Sequence, residues 1–234
     1  VRDLVAELGL REERSAGARP RVVAAMIASA DGRAAVQGRS VGLGHPADRA
    51  LLRELRTGAD AILVGTGTLK AERYANLLDG DQRAHRAALG LPQHPLVVTI
   101  SRRLTLPVEV PLFHEPGRRI LAFTESDRSA PHVGADLEVV RFAPGTLDLT
   151  RVLASLGERG VRGVVCEGGP SLLRELIAQG GLDDVLLTVA PLLVAGDAPS
   201  ILEGPELPEP ARLLLLEVHR ADDHVFLHYG TGSR

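Results

Sequence analysis

The sequence predicts an α/β domain: a three-layer sandwich whose mixed, mostly parallel sheet ends in antiparallel strands. Three observations predict it. Short continuous apolar runs alternate with amphipathic segments over most of the chain, the pattern of strands buried on both faces and joined by crossover helices. Two of these runs, in AILVGTGTLKAE and VVCEGGPSLLREL, end in glycines and pass at once into a helix. The last two runs, RLLLLEVHR and HVFLHYG, are separated by Ala221-Asp222-Asp223 and are expected to pair antiparallel.

Residues 1–19 read as a mobile or peripheral N-terminal arm with a short helical pattern in DLVAELGL, and residues 20–234 as a single domain. RVVAAMIAS (Arg21–Ser29) is the first strand, closed by the turn pair Asp31-Gly32. HPADRALLRELRTGAD is a helix with Pro46 near its start, Ala50, Leu51 and Leu55 facing inward, and Gly58 at its end. Ala61–Gly65 is a second strand, and TGTLKAERY opens a short helix. NLLDGDQRAHRAALGLPQH is polar and reads as an irregular surface excursion. Strands follow at Pro95–Ile100, Arg119–Thr124 and Leu137–Phe142. LTRVLASLGERG is an amphipathic helix, VRGVVCEGG a strand, PSLLRELIAQGG a helix and DVLLTVAPLLVAG a strand.

Composition removes several classes of function. The formal charge of −3 gives no electrostatic case for nucleic acid or an anionic membrane surface. Aromatic residues make up 3% of the chain and tryptophan is absent, too few for a base-stacking platform. Cys166 is the single cysteine, so neither a disulfide framework nor a CxxC metal site can form within the chain, and it reads as a small buried hydrophobe. The apolar run Val185–Ala195 is too short to span a bilayer, and the first residues carry no signal-peptide pattern, so a cytoplasmic protein is expected. The histidines show no HExxH spacing; His224 and His228 read as surface residues of the terminal hairpin, Asp183-Asp184 as a turn, and no metal site is expected.

Chemistry is expected at the two glycine-ended strands. Ligands of α/β sheets collect at the carboxyl ends of strands, where helix N-termini offer unpaired N–H groups to phosphate. Gly65 and Gly67 let backbone approach a ligand, while Thr66 and Thr68 supply hydroxyls. Gly168 and Gly169 do the same in the second segment, with Pro170 presetting the helix and Ser171 adding a contact. Neither segment fits GxGxxG or GxxxxGK[ST]; together they favour a two-point grip on a dinucleotide. Ser101-Arg102-Arg103 at the end of PLVVTI suits the extra ribose phosphate that separates NADPH from NADH.

The ordered set RPRVVAAMIASADGRAA, LRTGADAILVGTGTLKAE, HPLVVTISRRLTLP and GVRGVVCEGGPSLLRELIAQGGLDDVLLTVAPLLVAG resembles the reductase domain of bifunctional riboflavin-biosynthesis deaminase-reductases. The resemblance implies a dihydrofolate-reductase-like fold and NADPH as cofactor. It also implies reduction of 5-amino-6-(5-phosphoribosylamino)uracil, with hydride passing to the ribose carbon and the sugar opening to a ribityl chain. It places Gly65, Thr66, Gly67, Thr68, Gly168 and Gly169 on the cofactor, Ser101 and Arg102 near its ribose phosphate, and Asp31 and Glu167 toward the substrate as the catalytic carboxylates. Where the family carries a lysine in the first strand this chain has Ala25, and where it carries ADDP this chain has Ala71-Glu72-Arg73-Tyr74.

Both departures fall on the substrate side. Arg73 and Arg33 are therefore candidates for holding a phosphate or carboxylate, and Tyr74 for stacking on a ring. One alternative is a pterin or dihydrofolate reductase on the same fold; another is a nucleotide-binding protein without catalysis. The family's zinc deaminase needs an HxE…PCxxC pattern that this sequence lacks, leaving reduction alone. A homodimer is expected, with the apolar run VLLTVAPLLV as a central strand or part of the seam.

Overall fold

The structure is a computed structural model and describes residues 2–15 and 17–232. Strands β1 (Arg21–Ser29), β2 (Ala61–Leu63), β3 (Leu96–Ile100), β4 (Arg119–Thr124), β5 (Asp136–Arg141), β6 (Gly163–Cys166), β7 (Asp184–Ala190), β8 (Leu214–Ala221) and β9 (His224–Gly230) form one sheet. Its order is β5-β4-β3-β2-β6-β1-β7-β9-β8. Pairing is parallel from β5 through β7, after which β9 and β8 join antiparallel. The expected mixed sheet with an antiparallel end is present.

Alternation along the central strands divides the core between two faces. Val22, Ala24, Val164 and Cys166 pack with α5 (Leu149–Glu158) and α6 (Pro170–Ala178). Val23 and Val165 point the other way, onto Leu51 and Leu55 of α2 (Pro46–Gly58). The remaining helices are α1 (Arg2–Glu7), α3 (Thr66–Glu72) and α4 (Gly80–Ala88).

Four expectations change. The polar stretch after α3 is not irregular: α4 lies within it, started by a capping box in which Asp79 and Gln82 exchange hydrogen bonds with each other's backbone. Its inward residue is Arg86, 0% exposed, which donates to the carbonyls of Arg56, Thr57 and Ala59 at the end of α2. Ala50 is exposed, whereas Leu51 and Leu55 face inward as expected. Leu8 and Leu10 are buried in the α2 cluster, so this part of the N-terminal segment packs on the domain and is not peripheral.

The fourth change concerns the terminal hairpin. His228 is buried, and its Nε2 lies 3.0 Å from Oδ1 of Asp184, whose Oδ2 also receives Arg21 at 2.6 Å. Asp184 belongs to β7, and Asp183 accepts two bonds from Arg19 and one from the Val22 N–H. These two aspartates bolt the start of β7 to the start of β1.

Candidate functional site

Strand order brings the two glycine loops together. β2 and β6 are neighbours, with Leu63 beside Cys166. Beyond them the Glu167 N–H donates to the Leu63 carbonyl at 3.0 Å, and the Gly65 N–H to the Gly168 carbonyl at 2.8 Å. A Cβ on Gly65 would lie 3.2 Å from the Gly169 nitrogen, and one on Gly169 only 2.8 Å from Thr68 Oγ1. The loops therefore meet closely, and a side chain at either glycine would force Gly169 or the Thr68 side chain to shift. Gly65 and Gly169 are the N-caps of α3 and α6, and neither helix has a side-chain cap.

The loops open onto a cleft of about 640 Å³, within the range of cofactor and small-molecule sites. Gly65, Thr66, Gly67 and Thr68 line it from one loop, Gly169, Pro170 and Ser171 from the other. Arg102, beyond β3, lines it as well and is paired with Glu125 at 2.9 Å. The other wall is made by Ala25, Met26 and Ile27 of β1, Asp48, Leu51, Leu52 and Leu55 of α2, and Leu186 and Thr188 of β7. Gly168 lies behind the lining with its carbonyl on Gly65.

Glu167 lines the cleft, directly after β6. Arg56 reaches it from α2 in a two-point ion pair, Nε to Oε1 at 2.7 Å and Nη2 to Oε2 at 2.6 Å. Tyr74 donates its hydroxyl to the same Oε2. Burial and the neighbouring carboxylate push the Tyr74 phenol well up. Burial alone would lower the Arg56 guanidinium, but Glu167 outweighs it and raises the group. Both oxygens of Glu167 are thus occupied by the protein itself.

Other expected site residues sit elsewhere. Asp31 is exposed at the turn after β1 and is absent from the cleft wall. It accepts from the Ser29 hydroxyl and from the Val194 and Ala195 N–H groups, which tie that turn to the segment after β7. Ser29 and Ala195 foremost, with Val194, pull its carboxyl down to about 2. Arg33 donates to the Ala198 carbonyl at 2.9 Å and stays out of the cleft. Arg73 caps α3 in the left-handed region (φ 51°) and is exposed, so only Tyr74 of that pair turns inward. Ser101 is buried, and its hydroxyl oxygen accepts the Thr105 N–H at 2.8 Å. Burial lifts the Cys166 thiol to about 12, in keeping with an inert hydrophobe.

Arg56 and Asp48 are absent from the sequence expectation. Asp48, Leu52 and Arg56 stand four residues apart on α2, so they share one face of the helix. That i, i+4 spacing is the signal the sequence carries: a charged stripe interrupted by leucine, on the helix marked by Pro46, Leu51, Leu55 and Gly58.

Comparisons with known proteins identify the chain's relatives. Residues 20–227 match the family described as RibD C-terminal domain. The 2,5-diamino-6-ribosylamino-4(3H)-pyrimidinone 5′-phosphate reductase of Archaeoglobus fulgidus is 26% identical over 204 residues, covering 85% of this chain and 93% of that protein. The riboflavin biosynthesis protein RibD of Mycobacterium tuberculosis is 30% identical over 186 residues, 78% of this chain but 45% of that longer protein. Among solved structures, a pyrimidine reductase-like protein from Corynebacterium diphtheriae superposes with a TM-score of 0.77 at 26% identity, covering 90% of this chain and 91% of that one. Dihydrofolate reductase from Enterococcus faecalis, at a TM-score of 0.50 and 14% identity over 93% of this chain and 98% of that one, shares the fold. The chain belongs to the RibD C-terminal domain family.

Proposed function

We propose that this protein is a cytoplasmic NADPH-dependent reductase of riboflavin biosynthesis, acting on a ribosylamino-pyrimidine 5′-phosphate. One observation carries the reading. Two glycine loops on adjacent strands are joined by backbone hydrogen bonds and open, with Arg102, onto a single cleft whose other wall is mostly apolar, with Asp48 and Thr188 in it. The residues fit a nicotinamide dinucleotide. The uncapped start of α6 at Gly169 presents backbone N–H groups suited to a diphosphate, Thr66, Thr68 and Ser171 add hydroxyls, and Arg102 supplies the cation for a ribose phosphate. When bound, the cofactor supplies the hydride that reduces the ribose carbon.

The chain's own residues position and shield. Leu51, Leu52 and Leu55 give the α2 wall an apolar lining, while Arg56 and Tyr74 fix Glu167 in one orientation. Stopped assays following loss of the nicotinamide absorbance band test the reading. Oxidation of NADPH by the pyrimidine ribosyl phosphate is expected. Turnover of dihydrofolate alone, blocked by antifolates, would transfer the enzyme to pterins. NADPH binding with neither turnover would leave a non-catalytic nucleotide-binding protein.

The same proposal includes a homodimer. The run VLLTVAPLLV mostly forms β7, held between β1 and β9 inside the sheet, so it is not the whole of a seam. β8 is the sheet's last strand, and Leu214, Leu215, Leu216 and Val218 on it are exposed. An apolar edge of this kind invites a copy of itself. Light scattering at micromolar concentration is expected to give twice the chain mass; the monomer mass would reject it.

A further inference from the structure

The amino end of the parallel strands, opposite the cleft, gathers cations with donors to spare. Arg118 immediately precedes β4, and His94 lies two residues before β3, the neighbouring strand. Arg118 shares the parity of Ile120, so it takes the face on which Ile62, Val97 and Ile120 pack. Arg86 reaches the same edge from α4: its Nε donates at 2.8 Å to the carbonyl of Pro92, two residues before His94. Arg86 and Arg118 are 0% and 1% exposed. Each of the three keeps a buried nitrogen with no hydrogen-bond partner among the described residues: Arg86 Nη2, Arg118 Nη1 and His94 Nδ1.

The rest of each guanidinium is engaged. Arg86 Nη1 donates to the carbonyls of Arg56, Thr57 and Ala59, and Arg118 Nε and Nη2 both donate to Glu115 Oε2. Charge is unbalanced in the same sense. Arg118, Arg83 and Arg86 act on His94 against one carboxylate, Glu115. Asp60, which acts on Arg86, already accepts Arg162. Burial, then Arg118 and Arg83, push the His94 imidazole down, and burial draws the Arg86 guanidinium down to about 10. An unpartnered charged N–H in the interior is costly, and one anion relieves all three positions together.

We propose that Arg86, Arg118 and His94 form a binding site for a small inorganic anion, of the size of chloride or phosphate, remote from the cleft. His94 takes part as the Nδ1–H tautomer. Because Arg86 also holds the carbonyls at the end of α2, the anion steadies the turn that carries Arg56, the partner of Glu167 in the cleft. The site stands whether or not the cleft is that of a reductase.

The test is thermal unfolding of the full chain, dialysed into sodium gluconate and titrated with sodium chloride or sodium phosphate at constant ionic strength. Gluconate is the bulky anion that the site excludes. The wild-type Tm is expected to rise saturably, by roughly 5–10 °C at a hundredfold excess over the dissociation constant. Amide hydrogen exchange at the end of α2 should slow in step. His94→Ala and Arg118→Met should each move the titration midpoint up more than tenfold; His94→Ala keeps the test decisive should Arg118→Met not fold. A rise with chloride alone or phosphate alone supports the site and names its anion. No rise with either, an equal rise with added gluconate, or an unchanged midpoint in His94→Ala overturns the proposal.

Discussion

Arg56 and Glu167 face each other at the cleft as a two-point ion pair, with Tyr74 closing the third side of the carboxylate. The pair is mostly buried on both partners, so breaking it from one side leaves an uncompensated charge. Arg56→Met is expected to cost about 3–5 kcal/mol in urea unfolding. The double variant Arg56→Met/Glu167→Gln should recover part of that loss, because it removes the stranded charge. Additive losses would mean that the two residues do not act as a pair.

Two glycines of the proposed cofactor loops separate folding from binding. Gly169→Val drives its Cβ into Thr68 Oγ1, 2.8 Å away, and should raise the NADPH dissociation constant more than tenfold, about 1.4 kcal/mol. At Gly67 a Cβ meets nothing within 4 Å and projects from α3, which lines the cleft. Gly67→Ala should therefore keep or slightly raise thermal stability while weakening NADPH. Unchanged NADPH affinity in both variants would remove the cofactor from these loops.

Arg102→Ala should weaken NADPH more than NADH, since the guanidinium is assigned to the phosphate that distinguishes them. Its present partner, Glu125, is held independently by the Leu147 N–H at 2.8 Å, so the loop should survive the change. Equal losses for the two nucleotides would discard the assignment.

Asp31 makes a stability prediction with a definite sign. Its folded pKa, about 2, lies below the ordinary aspartate value of about 3.9. The stabilisation is thus present above the ordinary value and is lost as pH falls through the folded one. Asp31→Asn should lower Tm at pH 7, with the gap closing toward pH 2, and should leave kcat essentially intact. A large fall in kcat at unchanged Tm would return Asp31 to the catalytic machinery.

Asp48 carries the opposite sign. Burial raises its carboxyl, so its contribution is favourable below the ordinary aspartate range and declines as pH rises through the raised value. Asp48→Asn should accordingly be more stable than the wild type at pH 7, with the advantage shrinking on acidification. A destabilised Asp48→Asn across the whole range would contradict the burial argument.

Much of this fold was legible because buried parallel strands advertise themselves as unbroken apolar runs, as in Arg21–Ser29 and Gly163–Cys166. α4 escaped because its inward residue is an arginine, and only the Asp79–Gln82 capping box marked its start. The glycine loops of the site were legible as local patterns. The long-range partners were not: Arg56 finds Glu167 across 111 residues and Thr188 finds Asp48 across 140, distances at which no local motif speaks. Asp31 and Arg33 stood out as a conspicuous turn after a strand, and their hydrogen bonds fasten that turn to residues 194–198, contacts that no local pattern announces.

The central claim is hydride transfer from a nicotinamide to the ribose carbon, and isotope tracing tests it most directly. NADPH deuterated at the transferring ring carbon would be incubated with the protein and the pyrimidine ribosyl phosphate, and the product read by mass spectrometry and NMR. The account predicts one deuterium on the first carbon of a ribityl chain. Unreduced substrate, with the label still on the nucleotide, would contradict it.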